Sequence, residues 1–363
     1  MVKKKATQKA NVSPEGVRKK LYFVTQDLRF LMRAWCLDPR HNFRKAPDDA
    51  FFDKLQESLK KNLSQNAFAT APKEKDKDGK ESEFGIDVRY VTAAELPSLR
   101  RTNFIDEFWI TLDTVYVPKS DAQVDICRIF WGPDKISRGP REGEVHLDGQ
   151  CDGIIKKYCD SKKKKVVLAD DGTYSGNSVV EILKALRKKK GISVDEIRLG
   201  LCTVKSFGAI GQCALEEGLP AMVYQPSIVV GDLFVHDWIC ERDFYLGVPR
   251  SGRTYGTESS PGMAYPHKEC SLGRPYVYPF GDPKDAAGIT DFEKFSRQQI
   301  LDSMMLWREI ETLNGKILKV RDVPRFPGLS PKDYLAYQEM DWIQYICDEA
   351  HCFSNLRSEL DVC

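Results

Sequence analysis

The chain has 363 residues, and its 55 Lys and Arg against 53 Asp and Glu leave a formal net charge of +2, too little to bind nucleic acid through bulk charge. With 42% hydrophobic and 30% charged residues, the composition excludes a fibrous or wholly disordered chain. No apolar run reaches the roughly 20 residues of a membrane-spanning helix. The 11 cysteines are scattered and partly inside apolar runs, which predicts reduced core thiols in a cytoplasmic protein rather than a disulfide framework.

Residues 1–14 are basic and poor in apolar groups, and read as a disordered leader. Over 15–70, Leu21, Val24, Leu28, Leu31, Met32 and Trp35 fall at helical spacing, and Phe51, Phe52, Leu55 and Leu59 continue it, predicting a helical N-terminal module. The charged stretch 71–83 reads as a flexible loop. Residues 84–288 form the predicted α/β body. It opens with strand-like segments at 86–91, 108–117 and 124–131 and a Gly/Pro/Arg loop at 132–143. From 151 to 225 the pattern alternates, with strands at 166–169, 197–204 and 221–224 and helices at 175–190 and 207–217, as a parallel sheet requires. Long Gly- and Pro-rich loops follow to 288, and 289–363 returns to helical periodicity, at 291–313 and 331–360.

The segment VVLADDGTYSGNSVVEILKAL, 166–186, carries the chemistry. An apolar strand ends in Asp170 and Asp171. It runs through Gly172, Thr173, Tyr174, Ser175, Gly176, Asn177 and Ser178 into an amphipathic helix. Small and hydroxyl residues at a helix N-terminus suit a phosphate, because free N–H groups and the positive helix end meet there. Adjacent carboxylates accept the hydroxyl donors of a sugar, so a ribose 5-phosphate fits the pair and the turn together. No Gly-Lys-Ser/Thr follows, which excludes a P-loop, and no G-x-G-x-x-G is present. The same Ser and Asn can also simply cap the helix.

Here the sequence resembles the type I phosphoribosyltransferases, whose signature is an apolar strand, two acidic residues, three variable positions, Thr or Ser, Gly, any residue, and Thr or Ser. Asp170, Asp171, Ser175, Gly176 and Ser178 match it. The resemblance spans about 145–245. It implies a parallel-sheet phosphoribosyltransferase-like core with helical N- and C-terminal extensions, and a phosphoribosyl or nucleotide ligand bound with Mg²⁺. In it, Asp170 and Asp171 would contact the ribose hydroxyls and the loop 172–178 the 5-phosphate. No direct protein cluster for a metal is evident.

The match departs in places. Gly172 replaces an aliphatic residue, and Tyr174 stands where purine-salvage members carry an acidic residue near the base. The family's pyrophosphate loop follows its first core strand. The nearest counterpart is 132–143, with Arg138 and Arg141, because Arg offers a planar fork to phosphate oxygens. Lys205 follows the next strand and stands as a base reader or a solvated lysine. The stretch 241–256, with Arg242, Arg250 and Arg253, could converge on anionic groups. With Asp243 it gives a resemblance to divergent phosphoribosyltransferase-like proteins of prokaryotic conflict and defence systems.

The expected activity is transfer or cleavage at ribose C1. The alternatives are a non-catalytic nucleotide sensor whose helical termini contact a protein partner, and a nucleotide-hydrolysing toxin. Cys347, His351 and Cys352 lack a Cys-x-x-Cys knuckle and read as packed or surface residues of a helix.

Overall fold

The computed structural model describes residues 19–39, 41–67, 74–75, 81–82, 85–113, 115–130, 136–140, 145–189, 192–219, 223–232, 235–245, 254–257, 260–266, 292–323 and 338–350. In chain order the first elements are β1 (Lys19–Thr25), α1 (Leu28–Leu37) and α2 (Asp49–Asn62), followed by the short strands β2 (Glu74–Lys75) and β3 (Glu81–Ser82). Next come β4 (Gly85–Val91), β5 (Glu107–Thr111), β6 (Ala122–Gln123), β7 (Ile126–Phe130) and β8 (Ile136–Pro140). The alternating part is α3 (Leu147–Ser161), β9 (Lys165–Thr173), α4 (Asn177–Lys188), β10 (Glu196–Thr203), α5 (Val204–Glu216) and β11 (Val223–Val230). The chain continues through β12 (Val235–Cys240), α6 (Glu241–Tyr245), β13 (Thr254–Thr257) and β14 (Ser260–Pro266) to α7 (Phe292–Asn314) and α8 (Trp342–Ala350).

The expected α/β class holds. β11, β10, β9, β5 and β6 form, in that order, a five-stranded sheet in which every pairing is parallel. A second parallel sheet has the order β12-β1-β4. Its central strand corrects the helical reading of the segment around Leu21 and Val24. Leu21, Tyr22, Phe23 and Val24 form a contiguous apolar run that a strand buries on both faces, and such a run satisfies helical spacing by accident.

Alternation along β1 shows how the layers stack. Tyr22 and Val24 join a cluster with α1, α2, α7 and α8, whereas Phe23 joins Val91, Trp109, Val167, Ala169 and Leu201 between the two sheets. The other face of the large sheet, through Phe108, Ile110, Val166 and Leu168, packs on α3, α4 and α5. The order of layers is helices, five-stranded sheet, three-stranded sheet, helices. Because the 19–25 strand is central to the second sheet, it packs as part of the α/β body.

Residues 136–140, expected as part of a loop, form β8, antiparallel to β7, and Arg138 pairs in register with Arg128. These strands belong to a four-stranded sheet with β13 and β14. No helix among the described residues is long and apolar enough to cross a membrane.

Candidate functional site

In an open parallel sheet, ligands bind beyond the carboxyl ends of the strands where the strand order reverses. In the large sheet the chain passes from β5 outward to β6 and then returns to β9 on the other side of β5. β5 ends at Thr111, in register with Ala169. Asp170 and Asp171 are therefore the first residues of β9 beyond the end of that neighbour. The small sheet has its own reversal, since β1 is followed by β4 on one side and by β12 on the other. Asp27 lies just past the end of β1, and Cys240 and Arg242 lie at the end of β12.

The two reversal points meet. The Arg242 backbone N–H donates to the Asp27 carboxylate at 2.9 Å, and Arg242 Nη1 reaches Asp27 Oδ2 at 2.9 Å and Asp113 Oδ1 at 3.5 Å. Asp27 is fully buried and Asp113 nearly so. Asp113 closes the turn after β5, its carboxylate accepting the N–H groups of Val115 at 3.1 Å and Tyr116 at 2.6 Å. The Cys240 thiol donates to Asp171 Oδ2 at 3.6 Å.

One guanidinium thus contacts Asp27 and Asp113 and acts on the charge of Asp171, and the adjacent pair Asp170 and Asp171 shows the imbalance. Burial, then the neighbouring charges of Asp171 and Asp113, push Asp170 well above the ordinary carboxylate range. Burial and the charge of Asp113 push Asp171 up to about 7, against the opposing pull of Arg242. Burial, followed by the charges of Asp27, Cys240, Asp171 and Asp113, raises Tyr116 as well. Its buried hydroxyl has no hydrogen-bond partner among the described residues.

The opposite edge of the sheet supplies the contrast. There Glu107 and Glu196 meet Arg198 and Lys165, with Arg198 Nε 2.7 Å from Glu196 and Nη2 3.0 Å from Glu107. Although burial raises it, hydrogen bonds from Arg198 and Lys165 hold Glu196 below its usual value. Carboxylates and cations balance at that edge, as a structural network requires. At the carboxyl edge they do not, and perturbed carboxylates in that place make it the candidate functional site.

Beyond the pair, Gly172 and Thr173 complete β9, and Tyr174, Ser175 and Gly176 turn into α4 with Asn177 and Ser178 in its first turn. Gly176 caps α4 at φ +78°, a left-handed conformation that favours glycine. Its N–H donates to Thr173 Oγ1 at 3.1 Å. Thr203 donates its hydroxyl to the Tyr174 carbonyl at 2.6 Å and caps α5 by accepting the Ser206 N–H. The turn is thereby braced on a second helix N-terminus. Tyr174, Val204 and Phe207 stand exposed around it.

A second glycine supports the carboxylates from below. A Cβ on Gly200 would collide with the Asp171 carbonyl oxygen, and one on Gly176 would lie 3.1 Å from the Ser206 carbonyl oxygen. Gly200→Ala is therefore expected to destabilise the fold by about 1–3 kcal/mol, as overpacking does, and to displace the Asp171 backbone. Gly176→Ala is expected to cost about 1–2 kcal/mol through its positive φ alone. Urea unfolding of both variants checks the two values.

The structure brings Asp170, Asp171 and the 172–178 turn together with Arg242. Lys205 stands in the first turn of α5 with an exposed side chain, its backbone N–H bonded to the Asp232 carboxylate at 3.1 Å. Arg138 lies on β8, and Arg250 and Arg253 lie outside the described residues. The segment after the first strand of the large sheet is 112–117, and it presents Asp113 rather than an arginine. Asp27, Asp113, Tyr116 and Cys240 were not predicted. A signal existed for two of them, because FVTQD and ITLD repeat the apolar-strand-then-Asp pattern of VLADD. No protein-family model matches the chain and no curated protein shows significant similarity to it, so the functional reading rests on these residues.

Proposed function

We propose that the chain is a phosphoribosyltransferase-like protein that binds a phosphoribosyl pyrophosphate-type ligand with Mg²⁺ and transfers or cleaves at ribose C1. The observation that carries this reading is the pair Asp170 and Asp171 at the order reversal of a parallel sheet, followed at once by the glycine-capped start of α4. In this reading the two carboxylates accept the ribose hydroxyls and orient the ring, and the backbone N–H groups of the 172–178 turn face the 5-phosphate. A site role in a prokaryotic defence system belongs to the same proposal.

The residues present fit Mg²⁺ in one form. Among the described residues no group of three or more His, Cys, Asp or Glu is arranged to cage a metal. Mg²⁺ commonly keeps several waters and binds through one or two carboxylates together with substrate phosphates, which Asp170 and Asp171 can supply. When bound, the ion would draw charge from a departing diphosphate. Cation binding would also favour the ionised form of the pair, whose burial favours the proton.

One observation favours a second reading. The turn after β5 offers a diphosphate the carboxylate of Asp113, which suits a nucleotide sensor better than an enzyme that must grip its leaving group. The deciding experiment incubates the protein with Mg²⁺ and phosphoribosyl pyrophosphate, with and without a panel of bases, and follows pyrophosphate release and binding. Release that disappears in Asp170→Asn with Asp171→Asn supports the enzyme. Binding without release, lost in the same variant, supports the sensor; turnover that survives the double substitution removes the pair from the chemistry.

A further inference from the structure

At the amino edge of the large sheet, the turn before β5 carries two large apolar side chains to the surface. Asn103 Oδ1 accepts the N–H groups of Ile105 and Asp106, both at 3.1 Å, and the turn so closed leaves Phe104 52% and Ile105 83% exposed. Arg101 steadies the Phe104 ring from one side, its guanidinium 4.7 Å from the ring centre.

Cations surround this tip. The Asp106 carbonyl accepts the N–H groups of Lys164 and Lys165, both at 3.1 Å, which sets the lysine turn directly beside it. Arg198 reaches the Arg100 carbonyl at 3.4 Å and Arg101 reaches the Lys119 carbonyl at 2.8 Å, so Arg100 and Lys119 join the same edge. The carboxylates of Glu107, Glu196 and Asp121 are taken up by Arg198, Lys165, Arg101 and Lys163. Arg100, Lys119, Lys162 and Lys164 are exposed, and none of them forms an ion pair among the described residues. Lys162 is also the one non-glycine residue with a positive φ among the described residues, +58° at the end of α3. Glycine or asparagine is the usual occupant of that position, so the lysine is held there against backbone strain.

An exposed apolar group inside a ring of unpaired cations marks an interaction surface. A second copy would bring the same cations face to face, and like charges at an interface repel. A single-stranded nucleic acid needs flat platforms for its bases, and the most exposed group, Ile105, is aliphatic. An anionic bilayer takes both features, since apolar side chains sink below the headgroups while lysines and arginines meet the lipid phosphates. Behind Phe104, the apolar side chains of Leu96, Leu99 and Val117 wall a cavity of about 350 Å³ that Arg100 and Lys119 also line. Its cations beside an apolar wall suit the phosphate and upper acyl chain of one such lipid.

We propose that the amino edge of the large sheet docks on an anionic lipid surface, with Phe104 and Ile105 inserted and Arg100, Lys119, Lys162 and Lys164 on the phosphates. The contact is peripheral. It lies at the opposite end of the sheet from Asp170 and Asp171 and is independent of the phosphoribosyl reading.

The test sediments the full-length chain with phosphatidylcholine vesicles that contain about 30% phosphatidylserine, and with pure phosphatidylcholine vesicles, at about 0.1 M salt. Partition onto the anionic vesicles is expected to be at least about a hundredfold stronger, as several cations near the surface provide. Lys162→Gly with Lys164→Gln should weaken it about twentyfold without lowering thermal unfolding, because glycine relieves the left-handed backbone. Ile105→Ser should weaken it roughly tenfold, again without effect on unfolding. Lys60→Gln with Lys61→Gln removes the same charge from exposed positions on α2, in the helical layer beyond the small sheet, and should change partition by less than about twofold. Equal partition onto the two vesicles, equal losses from the two charge pairs, or partition unchanged in Ile105→Ser overturns the proposal. Tighter binding to polyglutamate or to a single-stranded oligonucleotide at the same salt also overturns it, in favour of an acidic protein or a nucleic acid.

Discussion

Asp170→Asn combined with Asp171→Asn is expected to make the protein more stable at pH 8 while weakening phosphoribosyl pyrophosphate binding at least about a hundredfold. The opposite signs come from one cause. Burial and the Asp113 charge push the Asp171 carboxyl up to about 7, so the folded protein holds a proton that the unfolded chain releases near pH 4, the ordinary carboxylate range. Stability from that proton is complete below about pH 4 and is lost as the pH rises through about 7. Over some three units, at about 1.4 kcal/mol per unit, the loss is on the order of 4 kcal/mol. Asp170 shifts in the same direction. Asn keeps the shape and carries no charge, so the variant should lose this part of the pH dependence. A residue should remain, because burial also pushes Glu241 up to about 8. Ligand binding moves the other way, since two acceptor-only groups become amides that each offer a single acceptor oxygen. Urea midpoints at pH 5 and pH 8, with ligand titrations at pH 8, read both effects. A variant that is less stable at pH 8 and still binds ligand contradicts the proposed site.

Arg242→Met should produce the second large effect, a loss of about 3–5 kcal/mol at pH 8, the usual result of leaving buried charges without their partner. Asp27 and Asp113 come from different sheets, and Arg242 is the cation between them. At pH 5 the loss should be smaller, because a buried carboxylate without a counter-charge takes up a proton instead. Arg242 also opposes the upward shift of Asp171, so in the variant the fall in stability with pH should extend above 7. Arg242→Lys should recover part of the loss, since it retains the charge without the planar fork. Loss at pH 5 equal to that at pH 8 would show that Arg242 acts through packing alone.

Much of the large sheet was legible. The strands at 166–169 and 197–204 and the helices at 175–190 and 207–217 correspond to β9, β10, α4 and α5 within a few residues. Their periods switch from that of a strand to that of a helix across short polar turns. β1 was misread because a strand covered on both faces has no alternation to detect. The 132–143 segment was read from its Gly, Pro and Arg content, but five of its residues pair with β7, and pairing with a neighbouring strand outweighs local composition.

The carboxylate pair and the turn after it were fixed by contiguous residues, since a strand end, a left-handed glycine and a helix start are local events. The company that Asp170 and Asp171 keep was decided only in three dimensions. Asp27, Asp113 and Arg242 are separated from the pair by between 57 and 144 positions along the chain, and parallel pairing leaves no mark in periodicity of which strand ends will lie side by side. Stacking two parallel sheets brought their carboxyl ends together, and burial between them raised Asp170 and Asp171 above the ordinary carboxylate range while setting Asp27, Asp113 and Arg242 beside them.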